Sequence, residues 1–231
     1  MQGEDESGNQ GFVRSAGAIT KGGDKMLEMN QLYNMDCMEG MKQFPDKYFE
    51  LAIVDPPYGI GMDGGKIGGD NCGRAKDYTK KSWDIKPPDK AYIAELQRVS
   101  RNQIVFGANH FISIMPYDSS CWVVWDKDNT GNFADCELAW TSFKTAVRKF
   151  TYRWNGMLQG DMKNKENRIH PTQKPIKLYE WLLTNYAKQG DKILDTHVGS
   201  ASSLIACHRS GFQYIGFEID EDYFKAAMER L

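Results

Sequence analysis

An apolar run that ends in a carboxylate, two prolines and a tyrosine is the feature of this sequence with the clearest chemical use. Leu51–Val54 has the composition of a buried strand, and Asp55, Pro56, Pro57 and Tyr58 follow it directly. Proline has no amide hydrogen and a fixed φ, so the chain has to leave the sheet here as a stiff turn. The turn presents one carboxylate, one free carbonyl and one aromatic ring. This set suits a planar base that carries an amino group, because Asp55 and the Pro56 carbonyl accept its two N–H bonds while Tyr58 stacks on its face.

A second turn, placed between a strand and a helix, has the form of a nucleotide-binding site. The apolar run Ile193–Leu194 ends at Asp195 and leads into a turn of small residues that includes Gly199. Backbone N–H groups at such a junction cradle the polar groups of a nucleotide. The next apolar run, Tyr214–Phe217, ends at Glu218. An acid at this place can accept two hydrogen bonds from a ribose diol.

Two further segments carry polar residues at the edges of predicted elements. His170–Pro175 has the sequence HPTQKP and precedes the clearest helical pattern of the chain. The N-terminus of a helix attracts anionic groups, so Lys174 is interpreted either as part of a ligand site or as a surface charge beside a helix start. Asp36 follows the run Leu32–Tyr33 and is interpreted either as a ligand-binding acid or as a helix N-cap ahead of Glu39.

The elements that must position these residues alternate between apolar runs and helical patterns from Gln31 onward, which predicts parallel strands joined by crossover helices. The runs that predict strands are Leu32–Tyr33, Leu51–Val54, Ile104–Phe106, Trp122–Trp125, Ile193–Leu194, Tyr214–Phe217 and, most weakly, Glu137–Phe143. Phe150, Tyr152 and Trp154 alternate with polar residues and predict a half-exposed strand with its aromatic rings on one face. The segments that predict helices are Asp89–Val99, Pro175–Ala187, Ser202–Ser210 and Glu221–Leu231.

Composition limits the class of protein. The chain has 231 residues, of which 41% are hydrophobic, enough for one sizeable core. Its five cysteines include no CxxC pair, which indicates neither a disulfide framework nor a zinc site and is typical of a reducing cytoplasm. No apolar run is long enough to span a membrane. Residues 1–25 are expected to be a flexible leader to a catalytic domain over residues 26–231.

The net charge of −2 does not indicate nucleic-acid binding, so contact with a polyanion depends on a local patch. Residues 144–168 contain seven Lys or Arg against Asp161 and Glu166. This segment is interpreted either as such a patch or as an ordinary solvated surface.

The turn at residues 55–58 reads DPPY, and the chain resembles the amino-group DNA methyltransferases, whose hallmark is a D/N/S-P-P-Y/F/W turn. The resemblance extends from Gln31 to Leu231. It implies an α/β fold of the class I S-adenosylmethionine-dependent methyltransferases, Rossmann-like, with a seven-stranded, mostly parallel and circularly permuted sheet. It also implies S-adenosyl-L-methionine as the cofactor, double-stranded DNA as the partner, and methylation of the N6 of adenine or the N4 of cytosine.

The resemblance assigns roles to the residues of each segment. The catalytic residues that it implies are Asp55, Pro56, Pro57 and Tyr58. The cofactor-binding residues that it implies are Asp36, Cys37, His170, Thr172, Gln173, Lys174, Asp195, His197, Gly199, Ser200 and Glu218. The family usually has Asp-Pro-Phe-x-Gly-Ser-Gly at the cofactor turn, whereas this chain has Thr196, His197 and Ala201 at the second, third and last positions. Alanine at a site that needs a positive φ is strained by about 1 kcal/mol or more, so a reshaped turn is expected and cofactor affinity is put in question.

The catalytic turn precedes the cofactor turn, an order that in this family belongs to the permuted β group. A target-recognition segment is therefore expected between the two turns, at about residues 126–168. The residues of this segment that are expected to contact DNA are Lys144, Arg148, Lys149, Arg153 and Arg168. The glycine-rich loop Gly59–Lys81 is expected either to close over an extruded base or to be a disordered surface loop.

Asp55 favours adenine N6 as the target, because Ser is commoner at this position in the N4-cytosine enzymes. N4-cytosine methylation and a non-catalytic DNA-binding module remain alternatives. Carbon-5 methylation of cytosine needs a thiolate, usually in a Pro-Cys pair, and no cysteine here follows a proline. Protein glutamine methyltransferases favour Asn at the first position and the unpermuted order. A homodimer and a cognate restriction enzyme are compatible with the family, and the sequence decides neither.

Overall fold

Strands and helices alternate toward both ends of the chain, as the spacing of the apolar runs predicts, whereas the described residues between 122 and 159 contain strands and no α-helix. The structure, a computed structural model, describes residues 26–67, 76–129, 134–155 and 157–231, so the leader predicted over residues 1–25 lies outside the described residues. The strands in the described part are β1 (Gln31–Tyr33), β2 (Phe49–Val54), β3 (Gly65–Ile67), β4 (Lys76–Tyr78), β5 (Ser100–Phe106), β6 (Trp122–Asp126), β7 (Cys136–Thr141), β8 (Arg148–Thr151), β9 (Trp154–Asn155), β10 (Leu158–Gln159), β11 (Lys192–Asp195) and β12 (Gln213–Phe217). The helices are α1 (Cys37–Met41), α2 (Lys90–Val99), α3 (Ile176–Tyr186), α4 (Ser202–Arg209) and α5 (Glu221–Arg230), with 3-10 turns at Ala108–His110 and Ile112–Ile114.

Eight of these strands form the main sheet in the order β1-β12-β11-β2-β5-β7-β6-β8. All of them run parallel except β7, which pairs antiparallel with both β5 and β6. The mostly parallel, permuted sheet is therefore confirmed. The sheet has one strand more than the seven expected, because the aromatic-alternating segment at residues 148–151 pairs with β6.

Helices cover both faces of the sheet. Alternate residues of β2 point to opposite faces, so Leu51 and Ile53 pack with α3, α4 and α5 while Ala52 and Val54 pack with α1 and α2. The helices begin and end close to where their patterns predict. Asp89 caps α2, for example, by accepting the backbone N–H of Tyr92 at 2.9 Å. None of the helices in the described ranges is long and apolar enough to cross a membrane.

Strand order decides which loops meet at the carboxyl edge of the sheet. β2 and β11 are neighbours although more than half the chain separates them, so the turns that follow them lie side by side. Because β7 runs antiparallel, its first residues lie at this same edge, with Glu137 opposite Trp125 near the end of β6. Residues 136–151 of the predicted recognition segment thus form β7 and β8 of the main sheet, and residues 152–168 contain the β9–β10 hairpin.

Candidate active site

The catalytic turn, residues 55–58, leaves the sheet directly after β2, as predicted. Asp55 accepts a hydrogen bond from the hydroxyl of Tyr58 at 2.6 Å through Oδ1. The Tyr58 ring stacks on His110 with a centroid distance of 5.1 Å and an interplanar angle of 16°. Gly107 lets this ring approach the end of β5, because a Cβ atom there would lie 2.0 Å from the ring. The carboxylate and the aromatic ring are therefore held at the same place on the sheet edge.

Asp84, which the sequence did not indicate, holds the backbone of the catalytic turn. Its buried carboxylate accepts the N–H groups of Tyr58 at 2.7 Å, Gly59 at 2.8 Å and Met62 at 2.7 Å. These donors would otherwise be unpaired where the chain leaves the ladder, and a buried carboxylate is a strong acceptor for them. Asp84 thereby fixes the turn from a segment that is distant in the sequence.

Lys174 lies at the catalytic turn, although the family resemblance groups it with the cofactor. Its ammonium group donates to Asp55 Oδ2 at 2.5 Å and lies 3.0 Å from Glu137 Oε2, and its side chain is only 3% exposed. Lys127 Nζ lies 2.5 Å from the other oxygen of Glu137. The four side chains form a row of alternating charge, Asp55, Lys174, Glu137 and Lys127, along one wall of the cleft.

The two carboxyl groups of this row differ in proton affinity. Burial raises the pKa of Asp55 even though Lys174 acts in the opposite direction, and the charge of Glu137 adds to the increase. Burial also acts to raise the pKa of Glu137, but Lys174 and Lys127 outweigh it and lower that pKa to about 2. Glu137 therefore stays ionised at neutral pH, and Asp55 is the carboxylate with the greater affinity for a proton.

The cofactor turn, residues 195–201, follows β11. Asp195 is buried and accepts hydrogen bonds from the Ser203 hydroxyl and from the His197 backbone N–H at 3.0 Å. Burial raises the pKa of Asp195 to about 7, which these hydrogen bonds only partly offset. Glu218, at the end of β12, accepts the N–H of Gly199 at 2.8 Å and the N–H of Asp220 at 2.9 Å. The two predicted acids thus lie together at this turn.

The turn contains the strain that its alanine predicts. Ala201 has φ 63°, and Gly199 has φ 53°. Both values lie in the left-handed region, which costs a residue with a Cβ about 1–2 kcal/mol. The turn therefore adopts left-handed backbone at Ala201 even though alanine stands at the last position of the motif.

Asp36 and Cys37 follow β1, the edge strand of the sheet, and lie near the cofactor turn. Asp36 is exposed and caps α1 by accepting the Met38 N–H at 2.7 Å, as its alternative interpretation predicts, and its charge also reaches His197. Burial lowers the pKa of His197 to about 4 and raises that of the Cys37 thiol to about 12, so both side chains are neutral. Thr196 bonds through its hydroxyl to that of Tyr92 at 2.6 Å.

The HPTQKP segment joins the two turns. His170 lies within 3.5 Å of the position that a Cβ on Gly199 would take, and burial lowers its pKa to about 3. Thr172 bonds to His170 Nδ1 through its hydroxyl at 3.2 Å. Gln173 accepts from the Ile169 N–H at 2.9 Å and donates to the Asn167 carbonyl at 3.3 Å. The amide of Gln173 thus fixes the conformation of its own loop.

Ser200 lies on the cofactor turn, where its hydroxyl bonds to the Ser202 hydroxyl at 3.0 Å.

The predicted DNA-contacting residues lie at different places in the fold. Arg168 lines the catalytic cleft and lies 4.3 Å above the ring of the buried Trp154. Arg153 pairs with Asp128 at 2.6 Å, and Lys149 pairs with Asp126 at 3.1 Å. Lys144 and Arg148 lie before and at the start of β8, which is the amino edge of the sheet because β8 runs parallel to β6. Sequence proximity grouped these residues, and the direction of β8 separates them.

A cleft of about 1010 Å³ opens beside the catalytic turn. Asp55, Pro56, Tyr58, Lys174 and Glu137 line it together with residues of the β9–β10 hairpin. The loop Gly59–Lys81 borders the cleft, and its residues 68–75 lie outside the described residues. Lys81, at the end of this loop, pairs with Asp220 at 3.0 Å and Asp222 at 2.6 Å near the start of α5.

The chain is similar in sequence to known DNA methylases. Residues 124–229 match the family model described as DNA methylase. Type II methyltransferase M.HinfI of Haemophilus influenzae is 22% identical over 88% of this chain and 68% of its own length. Methylase YubD of Escherichia coli strain K12 is 25% identical over 88% of this chain and 90% of its own length.

Two solved structures share the fold. The M1.HpyAVI–SAM complex has a TM-score of 0.53 at 21% identity, over 87% of this chain and 99% of that chain. The PvuII DNA methyltransferase, described as cytosine-N4-specific, has a TM-score of 0.58 at 13% identity, over 87% of this chain and 85% of that chain. The fold is therefore that of the class I S-adenosylmethionine-dependent methyltransferases. Within this class, the family and sequence matches confirm the resemblance of the chain to the DNA methyltransferases of the N6/N4 family that the DPPY turn indicates.

The residues at the cofactor turn fit S-adenosyl-L-methionine. Each oxygen of Glu218 accepts one backbone N–H, and a carboxylate has about four acceptor positions, so Glu218 retains the capacity to bind a ribose diol. Asp36 is exposed near His197 and can accept from an amino group. Together with Asp195, these residues place three carboxyl groups where a cofactor of net positive charge would bind.

Proposed function

We propose that the protein transfers a methyl group from S-adenosyl-L-methionine to the N6 amino group of adenine in double-stranded DNA. One observation carries the proposal: the catalytic turn after β2 and the cofactor turn after β11 lie next to each other on one edge of the sheet. One turn suits an amino-bearing base and the other suits a nucleoside cofactor. Asp55 at the first position of the DPPY turn favours adenine, by resemblance to the family.

The cleft and the turn supply binding and orientation. A base has to leave the duplex to reach Asp55, at a cost of a few kcal/mol, and the cleft of about 1010 Å³ has room for it. Asp55 and the carbonyl of Pro56 accept the two N–H bonds of the amino group. Asp55 already accepts from Tyr58 and Lys174, one bond on each oxygen, so each oxygen keeps a further lone pair.

The chemistry needs little beyond this positioning. When bound, S-adenosyl-L-methionine supplies a methyl group that is already activated. Asp55 and Pro56 turn the lone pair of the amino nitrogen out of conjugation with the ring by holding both N–H bonds. Glu218, Asp36 and Asp195 surround the cofactor side, and fixed charges of this kind stabilise a transfer without reorganising during it.

N4-cytosine methylation is the second candidate. The PvuII enzyme, described as cytosine-N4-specific, shares the fold at a TM-score of 0.58. The same turn could hold the amino group of cytosine, since both bases present an exocyclic N–H₂ group next to a ring acceptor.

Identification of the product nucleoside tests the proposal. The protein is incubated with methyl-labelled S-adenosyl-L-methionine and unmethylated genomic DNA, and the DNA is digested and analysed by mass spectrometry. We expect the label in N6-methyladenine. Label in N4-methylcytosine would overturn the choice of base and keep the mechanism. No label in either nucleoside, on DNA of varied sequence, would overturn the proposed activity.

A further inference from the structure

The row of charges beside Asp55 is more than the catalytic turn needs to bind an amino group. Lys174 alone would neutralise Asp55, yet a second carboxylate, Glu137, reaches the same ammonium group from β7. Glu137 is in turn paired with Lys127 at 2.5 Å. A row of this kind costs desolvation at each charge, so it calls for a role in the chemistry.

Geometry explains how Glu137 acts on Asp55. An ammonium group that serves two carboxylates gives each of them less stabilisation than it would give to one, because its charge and its three donors are shared. Glu137 receives the charge of Lys174 and that of Lys127, whereas Asp55 has only Lys174 and the hydroxyl of Tyr58. The negative charge of Glu137 also acts directly on Asp55 in a poorly solvated cleft wall. Both effects increase the affinity of Asp55 for a proton.

We propose that Glu137 is a positioning residue of the transfer reaction, which holds the Lys174 ammonium group between two carboxylates and thereby keeps Asp55 able to take up a proton from the target base. The inference rests on the proposed function and deepens it. After methyl transfer the amino nitrogen is cationic. One of its N–H bonds breaks, the electron pair stays on nitrogen, and an O–H bond forms on Asp55. Water in the open cleft then takes this proton and restores the carboxylate.

Other titratable groups face Asp55 as well and define the background of the test. They are Tyr58 of its own turn, Lys174 of the HPTQKP segment, Glu137 of β7, Asp195 of the cofactor turn, Tyr92 of α2 and Tyr179 of α3. The tyrosines are buried and neutral, and burial also keeps Asp195 partly protonated near pH 7. Glu137 and Lys174 therefore dominate the charge that Asp55 experiences.

Two variants with opposite charge changes test the proposal. Glu137→Gln removes a negative charge from the row, and Lys127→Gln removes a positive charge from its far end. Single-turnover methyl transfer is measured from pH 5 to 9 with saturating DNA and cofactor. Asp55 has to be ionised to act, so Glu137→Gln should move the acidic limb of the profile to lower pH by about one unit. Its plateau rate should fall by about tenfold, because Asp55 becomes a weaker acceptor. Lys127→Gln should move the same limb to higher pH.

A readout without catalysis separates the inference from the proposed function. The carboxyl carbons of ¹³C-labelled aspartate are titrated by NMR in both variants and in wild type, with Asp55→Asn to assign the signal. We expect the midpoint of Asp55 to move in the same directions as the pH profile. The half-buried Glu180 of α3, which pairs with Lys177 on the surface of that helix, supplies a matched control, and Glu180→Gln should change neither measurement.

The outcomes are distinct. If wild type methylates DNA but neither variant moves the Asp55 midpoint or the acidic limb, Glu137 does not act through Asp55 and the inference is wrong. If Glu137→Gln binds DNA more weakly but the acidic limb of its pH–rate profile is unchanged, the inference is also wrong. That result would indicate direct contact of Glu137 with the base. If wild type transfers no methyl group to DNA, the proposed function fails, and the NMR titration still decides whether Glu137 controls Asp55.

Discussion

Two aspartates end neighbouring parallel strands at the same edge of this sheet, and their surroundings differ. Asp55, after β2, is held by the ammonium group of Lys174 and the hydroxyl of Tyr58. Asp195, after β11, is held by the Ser203 hydroxyl and a backbone N–H, and none of the contacts described for it is with a cation. Burial raises the pKa of both side chains. One aspartate thus has a cation built into the protein, and the other is buried with no cation among its described contacts.

The two turns are also made rigid in different ways. The catalytic turn relies on two prolines and on Asp84, whose carboxylate accepts the N–H group of Tyr58 and those of Gly59 and Met62 just after the turn. The cofactor turn relies on left-handed backbone at Gly199 and Ala201, with Glu218 accepting one of its N–H groups. The first turn is therefore fixed mainly by a side chain from another segment, and the second mainly by its own backbone conformation.

Removal of the Lys174 cation should do most to abolish the difference between the surroundings of Asp55 and those of Asp195. Lys174→Met leaves Asp55 and Glu137 in the cleft wall with one cation fewer. Loss of one partner from a buried ion pair typically costs about 3–5 kcal/mol, and we expect a loss of this size in the free energy of unfolding at pH 7, measured with urea. The deficit should shrink as pH falls toward 4, because Asp55 becomes protonated and no longer needs the cation.

Lys177→Met is the matched control for this change. Lys177 is exposed on α3 and pairs with Glu180 at 2.7 Å, so its loss should cost about 0.5 kcal/mol or less. Equal stability of the two variants would show that the buried row contributes nothing that a surface pair does not.

The pH dependence of cofactor affinity should show how Asp195, which has no cation among its described contacts, differs from Asp55. A pKa of about 7 means that Asp195 is largely protonated below that pH in the free protein. A cationic cofactor binds better to the ionised form, so its affinity should rise as pH increases from 6 to 8, by up to about tenfold per unit. Calorimetry in buffers of different ionisation enthalpy should detect the release of a proton on binding near pH 6.5.

The contribution of Asp195 to the free energy of unfolding of the cofactor-free protein should depend on pH in the opposite direction to cofactor affinity. An acid whose folded pKa lies above its unfolded value stabilises the fold at low pH and loses this contribution as pH rises from about 4 through 7. Asp195→Asn should remove both pH dependences, whereas the exposed Asp46→Asn should remove neither. Cofactor affinity that is unchanged between pH 6 and 8 in wild type would contradict the role given to Asp195.

Sequence patterns predict the parts of this molecule that depend on local rules. The apolar runs predict the buried strands, because alternating strands and helices bury a continuous core. The DPPY motif also predicts that the chain leaves the sheet directly after a buried strand, as it does after β2, since two prolines there leave the chain few alternatives. The alanine at the last position of the cofactor turn predicts a reshaped turn, whereas Ala201 keeps a left-handed φ of 63°.

The groups that surround Asp55 were not predictable in the same way. Glu137 is a lone acid in a strand that is otherwise mostly apolar, and only the antiparallel direction of β7 brings it to the catalytic edge. Asp84 acts across a loop with no periodic pattern. Lys144 and Arg148 are near Arg153 in sequence, and only the direction of β8 shows that they lie toward the amino edge of the sheet, away from the catalytic turn.

Asp55→Ala, assayed for both cofactor binding and methyl transfer, tests the division of labour between the two turns most directly. The dissociation constant for S-adenosyl-L-methionine is measured by calorimetry, and transfer to DNA is measured in a single turnover. We expect cofactor affinity to stay within about threefold of wild type while transfer falls by at least about 10²–10³-fold, because only the base loses its acceptor. Transfer that persists near the wild-type rate, or a loss of cofactor binding as large as the loss of transfer, would contradict the account.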